Sequence, residues 1–439
     1  MAKKDNRHAE LVSASVNIEA PYELPEGWKW TRLGDFIDIH RGVSYKKDAA
    51  HKEKQENDCL IMRGGNIDEG KININADNVY VDKSLVSENQ FIKKNDVVIV
   101  TSTGSTKVIG RAGISDEDYS DVTFGAFLTL ARPNGKADKS FVNQYFQSSI
   151  YRERIRQLAS GVNINNIRLE YITESPFPLP PTLAEQQRIV NRIETMFAKL
   201  DQAQEKAQAV LDSFETRKAA ILHKAFTGQL RIDNEELKIE DWEEKKLGNI
   251  VNGFKYGVSD KCDYKNDGIP VLRIPNIGDG TIDYTDLKYS ERNDIEENYI
   301  VKENDILIIR SNGSRELVGK SALYNNTEKK FSYGSFLIKI TPSEVVNPKY
   351  LVTFLNSDDA RNQMFNKAKS SSGIHNINTK ELSEIRLKLP PLNYQLSIVN
   401  FLDTVLEKES RAKEAAQTVL DQIALLKKSI LARAFRGEL

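Results

Sequence analysis

Two short polar loops, 209 residues apart, carry the side chains of this chain best suited to holding a ligand. The first is Thr101-Ser102-Thr103-Gly104-Ser105-Thr106-Lys107, with Arg111 just beyond; the second is Arg310-Ser311-Asn312-Gly313-Ser314-Arg315, with Lys320 beyond. Each directly follows a β-branched run, so its hydroxyls, amides and cations gather at the end of a strand. Further polar sets come in pairs. Arg41, Tyr45, Lys46 and Lys47 form a basic, aromatic-flanked turn that is answered by Lys255, Tyr256 and Lys261, and Arg63 is answered by Arg273. Late in each half, a stretch with Asn163, Asn165 and Asn166 corresponds to one with Ser371, His375 and Asn376. Arg, Lys, Asn, Ser and Thr are the side chains that bind phosphates and read the edges of bases. A single loop of this kind is ordinarily a solvated turn. Matched loops in two halves of one chain point to one recognition task performed twice.

Residues for covalent or hydrolytic chemistry do not assemble in the sequence. Gly313 to Ser321 resembles a phosphate-binding loop, but five residues separate Gly313 from Gly319, where the motif requires one fewer. Its counterpart, Gly104 to Arg111, lacks the Lys-Ser ending. Asn347-Pro348-Lys349-Tyr350 resembles the Asn-Pro-Pro-Tyr motif of amino-methyltransferases without its second proline, and no glycine-rich cofactor loop precedes it. A helix cap explains it better. Asp241, Glu243 and Glu244 beside Trp242 read as a solvated turn and not as a nuclease site. The five histidines show no metal-ligand spacing. No catalytic residue, metal ligand or cofactor site is expected in this chain.

The elements that must position the loops also repeat. Leu183-Ala-Glu-Gln-Gln-Arg-Ile-Val-Asn191 returns as Leu392-Asn-Tyr-Gln-Leu-Ser-Ile-Val-Asn400, and Ala225-Phe-Thr-Gly-Gln-Leu230 returns as Ala434-Phe-Arg-Gly-Glu-Leu439. An ungapped echo of this length is a duplication. Between these phrases, apolar residues recur at alternating steps of four and three. They are Ile189, Ile193, Met196, Leu200, Ala203, Ala207, Val210, Phe214 and Ile221 in the first copy, interrupted by Arg217. In the second they are Ile398, Leu402, Val405, Ala412, Ala416, Val419, Ile423, Leu426 and Ile430, interrupted by Glu409. That spacing predicts a coiled-coil seam on helices of about 44 residues, ~66 Å long. Thr182 with Glu185 forms a capping box after Pro180-Pro181, and Gly228 and Gly437 stand where the helices end.

The residues before each helix are worn copies of one another. Trp28…Leu33-Gly34 matches Trp242…Leu247-Gly248, and Asn95-Asp96-Val-Val-Ile-Val matches Asn304-Asp305-Ile-Leu-Ile-Ile. Gly125-Ala-Phe-Leu and Gly334-Ser-Phe-Leu each open another strand, and short helices follow around 138–157 and 347–367. The expected class is α+β. Its segments are a disordered leader (1–20), a strand-rich domain (21–181), a long helix (182–230), a second strand-rich domain (231–391) and a second long helix (392–439).

The chain has 439 residues, a net charge of −1 and two cysteines, Cys59 and Cys262, in different copies. This usage excludes a disulfide scaffold and suits a reducing, cytoplasmic setting. No apolar run reaches membrane-spanning length. The near-neutral charge denies the whole molecule a strong electrostatic footprint, so any nucleic-acid contact must come from local basic surface or be shared with partners.

The order domain, helix, domain, helix, the phrases Leu179-Pro-Pro…Glu185-Gln-Gln-Arg-Ile-Val and Leu389-Pro-Pro-Leu…Gln395-Leu-Ser-Ile-Val, and the twice-used Ala-Phe-x-Gly-x-Leu ending resemble the specificity subunit of Type I restriction–modification systems. The resemblance covers nearly everything after residue 20. The second copy departs from it with Tyr394 where Glu185 stands in the first. The resemblance implies two target-recognition domains related by a pseudo-twofold axis and separated by two long antiparallel helices. Each domain is then expected to read one half of a bipartite, asymmetric site in double-stranded DNA. It implies a non-catalytic reader whose partners are methyltransferase subunits, two of them expected, and restriction subunits. S-adenosylmethionine, ATP and Mg are expected in those partners and none of them in this chain. On the helices, Arg188 and Arg192 lie off the seam and Phe226 and Phe435 mark the ends; these four are expected to bind partners, the alternative being a core role within the chain's own helix hairpin.

Overall fold

A β-branched run flanked by a tight reversal and a buried acid builds the centre of each half. Asn95 and Asn304 both adopt φ +69°, a left-handed conformation that asparagine tolerates. The next residue folds its carboxylate back on the turn. Asp96 accepts the Lys93 N–H at 2.7 Å and Asp305 accepts the Lys302 N–H at 2.8 Å. The strands Val97–Val100 and Ile306–Ile309 that follow are buried at every residue. Both acids are almost wholly enclosed, and a neighbouring strand supplies a cation to each. Arg132 lies 2.6 Å from Asp96 and Lys339 lies 3.5 Å from Asp305. Thr341 also donates its hydroxyl to Asp305 at 2.7 Å.

The computed structural model describes residues 20–68, 70–159, 166–232, 235–236, 242–265, 268–292, 294–326, 328–371 and 373–439. The leader expected over 1–20 lies almost entirely outside them. The chain divides into two units, one comprising residues to Ala207 with Thr418–Leu439, the other Gln208–Gln417.

In the first unit a five-stranded sheet has the order Ile37–Arg41, Leu128–Pro133, Val97–Val100, Ala112–Ile114 and Gly70–Lys71. All its pairs are antiparallel except the last. A four-stranded sheet has the order Ala50–His51, Tyr80–Asp82, Asp58–Met62 and Val122–Phe124. The ribbon Lys29–Arg32 with Pro176–Leu179 closes the unit. Helices α1 (Lys139–Gln147), α2 (Ser149–Ala159) and α3 (Leu169–Thr173) lead to the long helix α4 (Leu183–Thr227).

The second unit repeats this plan. Its five-stranded sheet runs Val251–Tyr256, Leu337–Pro342, Ile306–Ile309, Ser321–Leu323 and Gly280–Thr281. The four-stranded sheet runs Cys262–Asp263, Lys288–Ser290, Pro270–Leu272 and Ser332–Tyr333. The central register is preserved, with Leu128 opposite Val100 in one unit and Leu337 opposite Ile309 in the other. Helices α5 (Pro348–Leu355), α6 (Asp358–Lys367) and α7 (Thr379–Ser383) lead to α8 (Leu392–Phe435). Asn347 caps α5 as its sequence predicts, accepting from the N–H groups of Lys349 and Tyr350 at 2.9 and 3.0 Å.

Each long helix starts from a buried glutamine. Gln186 accepts the Asp138 N–H at 2.7 Å, and Gln395 accepts the Asn347 N–H at the same distance. Gln395 also donates to the carbonyls of Val345 and Pro390. Thr182 accepts the Glu185 N–H at 3.1 Å, which is one half of the predicted capping box, while the Glu185 carboxylate accepts from Arg188 at 2.8 Å. Within each unit, segments of α4 and α8 run antiparallel. Asp201 meets Lys427 in the first unit, and Arg217 meets Glu409 in the second.

The seam departs from a strict heptad late in α8. Val419 and Leu426 are 37% and 48% exposed, while Leu420 and Lys427 turn inward. An unsupercoiled helix drifts by ~20° per heptad, which moves the buried stripe by one position.

The helix ends also differ from expectation. Phe435 is fully buried, 5.0 Å from Phe141 and 5.5 Å from Tyr145 between ring centres. Phe226 is 4% exposed, against Tyr350 and Phe354. Both rings belong to the cores of their units, so neither presents a surface to a partner.

Candidate nucleic-acid interface

The loop after Val97–Val100 is fixed at its root and open at its tip. The amides of Thr101 and Ser102 donate to the Phe127 carbonyl at 3.0 and 3.1 Å, and the Thr101 hydroxyl donates to it at 3.2 Å. The Ile167 amide donates to the Thr101 carbonyl at 2.8 Å, and Ser102 bridges to Asn166. Beyond this root, Ser105, Thr106 and Lys107 are exposed, and the Thr103 hydroxyl accepts the Ser105 N–H at 3.2 Å. The second unit uses the same root. The Arg310 amide donates to the Phe336 carbonyl at 2.9 Å, the Ile377 amide to the Arg310 carbonyl at 2.9 Å, and Ser311 pairs with Asn376. Asn312 accepts the Ser314 N–H at 2.7 Å and pairs with His375. The side chain of Ser371, like residues Asn163 and Asn165, lies outside what is described.

A cation from the second short helix holds each loop from beneath. Arg152, on α2, is buried and donates to the carbonyls of Ile109 at 3.0 Å and Lys107 at 3.3 Å. Its counterpart on α6, Arg361, donates to the Glu316 carbonyl. Burial lowers the Arg361 pKa from its ordinary value. The loop turns back through Gly110 at φ +72° and Gly319 at φ +88°. A Cβ on Gly110 would lie 2.5 Å from a methyl of Ile155, and one on Gly319 would lie 2.6 Å from the Met364 sulfur. Only glycine lets the loop close this tightly on its helix.

The expected contact residues divide into two groups. Some are engaged inside the fold. Arg63 pairs with Asp77 and Arg273 with Asp286. Arg111 donates to the Ile67 carbonyl at 3.2 Å. Tyr45 packs against the small core of Val43, Ile61, Val79 and Val81, and the Lys255 ammonium sits 4.4 Å from the centre of the Tyr299 ring. Others face solvent: Arg41, Lys46, Lys47, Lys107 and Lys261, with Lys320 half-buried. On α4, Arg192 is exposed, whereas Arg188 binds Glu185 at 2.8 Å and the Leu439 carbonyl at 2.8 Å.

In the first unit these elements frame a polar groove lined by Arg41, Ser44, Ser102, Phe127, Asn166 and Arg168. The guanidinium groups of Arg41 and Arg168 are exposed, with no hydrogen-bond or ion-pair partner among the described residues. At the matching place in the second unit, Tyr256 replaces Arg41 and Arg310 replaces Thr101. The Arg310 guanidinium stacks 4.8 Å from the centre of the Tyr256 ring and donates to the Ser335 carbonyl at 3.2 Å. Each surface therefore keeps a cation among amide and hydroxyl groups, but the cation comes from a different position. Such groups supply both phosphate contacts and hydrogen bonds to base edges. Among the described residues no group of His, Cys, Asp and Glu is arranged to hold a metal ion.

Sequence reading missed Arg152, Arg361 and Arg168, which lie on or beside helices. Only the recurrence of arginine at the same offset in both copies marks Arg152 and Arg361. It also missed Phe127 and Phe336, having read them only as strand openers.

The family model for the Type I restriction modification DNA specificity domain matches residues 25–211 and again 239–419. The chain is 31% identical to the Type I restriction enzyme EcoKI specificity subunit of Escherichia coli (strain K12) over 95% of this chain and 90% of that protein. It is 29% identical to the StySPI specificity subunit of Salmonella potsdam, with the same coverage. Among solved structures, the HsdS subunit of Thermoanaerobacter tengcongensis shares the fold with a TM-score of 0.61 at 20% identity, over 96% of this chain and all of that one. Two matches of the family model, one on each unit's repeat, cover most of the sequence, and the chain belongs to the Type I restriction–modification DNA specificity family.

Proposed function

We propose that this chain is the sequence-reading subunit of a Type I restriction–modification complex and that each unit reads one half of a bipartite, asymmetric DNA site. One observation carries the reading. The same loop scaffold, fixed by the same backbone hydrogen bonds, presents different side chains in the two units: Thr106 against Arg315, Lys107 against Glu316 and Arg41 against Tyr256. A conserved frame with exchanged contact groups suits two readers of unlike sequence, since each bidentate contact contributes about 1–3 kcal/mol of discrimination. The chain itself is non-catalytic. The exposed faces of the long helices, Arg192 among them, scaffold methyltransferase and restriction subunits, and those partners bring S-adenosylmethionine, ATP and Mg. Shared phosphate neutralisation reconciles DNA binding with a net charge of −1.

Exchange of residues 21–176 for the matching domain of a relative tests this. Sequencing of methylated adenines in cells expressing the complex is expected to show one half-site changed and the other intact. A change in both halves together would refute the modular reading. The competing reading, an enzyme acting alone, requires methyl transfer by the purified chain from S-adenosylmethionine to DNA without a partner.

A further inference from the structure

Phe127 and Phe336 occupy equivalent places and are the most exposed aromatic side chains of their loops, at 68% and 59%. Burying a phenylalanine stabilises a protein by about 1.5–3 kcal/mol, and scattered exposed apolar residues are normal. Here the exposure is built in twice, by the same turn. Gly125 donates to the Met62 carbonyl and Gly334 to the Leu272 carbonyl, both at 2.9 Å. The turn closes through Leu128 N–H to Gly125 at 2.8 Å and Leu337 N–H to Gly334 at 2.9 Å. Small residues precede each ring, Gly125-Ala126 and Gly334-Ser335, while the leucine after it is buried. The backbone under the ring is therefore rigid and the ring itself projects.

Its surroundings are polar and cationic. Phe127 stands in the groove with Arg41 and Arg168. Phe336 follows the Ser335 carbonyl that Arg310 holds, and its own carbonyl anchors the Arg310 amide. An apolar ring on a stiff turn beside a cation complements a polyanion with apolar faces stacked inside it, which is the chemistry of duplex DNA. Apolar side chains that enter a base step and partly unstack it are a recurring device of such proteins.

We propose that Phe127 and Phe336 act as wedges, each inserted at a base step within its own unit's half-site. The proposal rests on the DNA-reading function above. It assigns the rings a contact that carries no charge, so their removal lowers affinity without altering counterion release.

The test uses the full chain assembled with its methyltransferase subunits and a duplex carrying the site defined by adenine-methylation sequencing. Phe127→Ala and Phe336→Ala are expected to weaken specific binding about 5- to 150-fold, the range for loss of one base–aromatic contact. The slope of log affinity against log salt should stay at the wild-type value, and Phe→Leu at either position should restore part of the loss. Arg168→Ala, by contrast, should lower that slope by about one. A fluorescent adenine analogue beside the contacted step, away from the methylated base, should brighten with wild type but not with the alanine variant of that unit.

Wild-type affinity in both alanine variants would overturn the wedge while leaving DNA reading intact. So would a shallower salt slope, because the ring would then serve only to place a cation. Loss of methyltransferase co-purification would identify the ring as a protein-docking residue and overturn the wedge as well. A wild-type complex without sequence preference would instead overturn the function on which the wedge rests.

Discussion

Replacing Arg152 by methionine should disorder one reading loop without unfolding the protein. The guanidinium is buried and donates to two loop carbonyls, Ile109 at 3.0 Å and Lys107 at 3.3 Å. Methionine keeps much of the side-chain length but offers no donor, so both carbonyls lose their charged partner. Hydrogen bonds to charged groups contribute about 1.5–3 kcal/mol each. The Lys107 bond is long and partly solvated, and water takes over some of it, so ~2–4 kcal/mol is expected for the pair. That is smaller than the ~5–15 kcal/mol that holds a domain together, but it is large for a loop. The Gly110 amide, which donates to the Val100 carbonyl at 2.8 Å, reports loop opening. Its hydrogen-exchange protection should fall about 30- to 700-fold, while amides of the sheet strands change little. Methylation sequencing should then show relaxed sequence preference in one half-site only, and Arg361→Met should relax the other. Unchanged protection at Gly110 with an unchanged methylated site would refute the idea that α2 holds the loop.

Two further outcomes follow from the long helices. Gln395→Leu leaves the Asn347 N–H and the carbonyls of Val345 and Pro390 without that partner; an unsatisfied buried group costs about 1–3 kcal/mol, but the bonds to Asn347 and Val345 are only partly buried and water takes over some of them, so denaturant unfolding should show ~2–5 kcal/mol lost, and a loss below ~0.5 kcal/mol would show that the glutamine does not lock the helix start. Arg217 and Glu409, 2.8 Å apart and 37% and 22% exposed, should couple by about 0.5–1 kcal/mol in a double-mutant cycle, after allowance for solvent screening, and the coupling should shrink as salt rises. A paired replacement of both by leucine should be no less stable than either single change, since apolar contact restores the seam.

The duplication, the two long helices and the strand-rich character of each half were legible in the sequence. They rest on local periodicity and on phrases repeated at a fixed offset, which survive in one dimension. Arg217 and Glu409 stood out as the two charged interruptions of the apolar seam, and their types alone made a pair plausible. Their pairing depends on the antiparallel register, which only packing fixes. The inward shift from Val419 and Leu426 to Leu420 and Lys427 arises because a helix has 3.6 residues per turn, and a seam read as a strict heptad accumulates that difference. Phe226 and Phe435 ended their helices in an apolar phrase that reads equally as surface or core; the aromatic residues of α1 and α5, distant in sequence, bury them. The polar loops were recognisable from composition. Which of their cations remain open to a ligand was decided by partners such as Asp77 for Arg63 and the Ile67 carbonyl for Arg111. The two exposed phenylalanines were hidden for the converse reason. Beside a strand, a phenylalanine reads as core, and only the close turn beneath it points the ring into water.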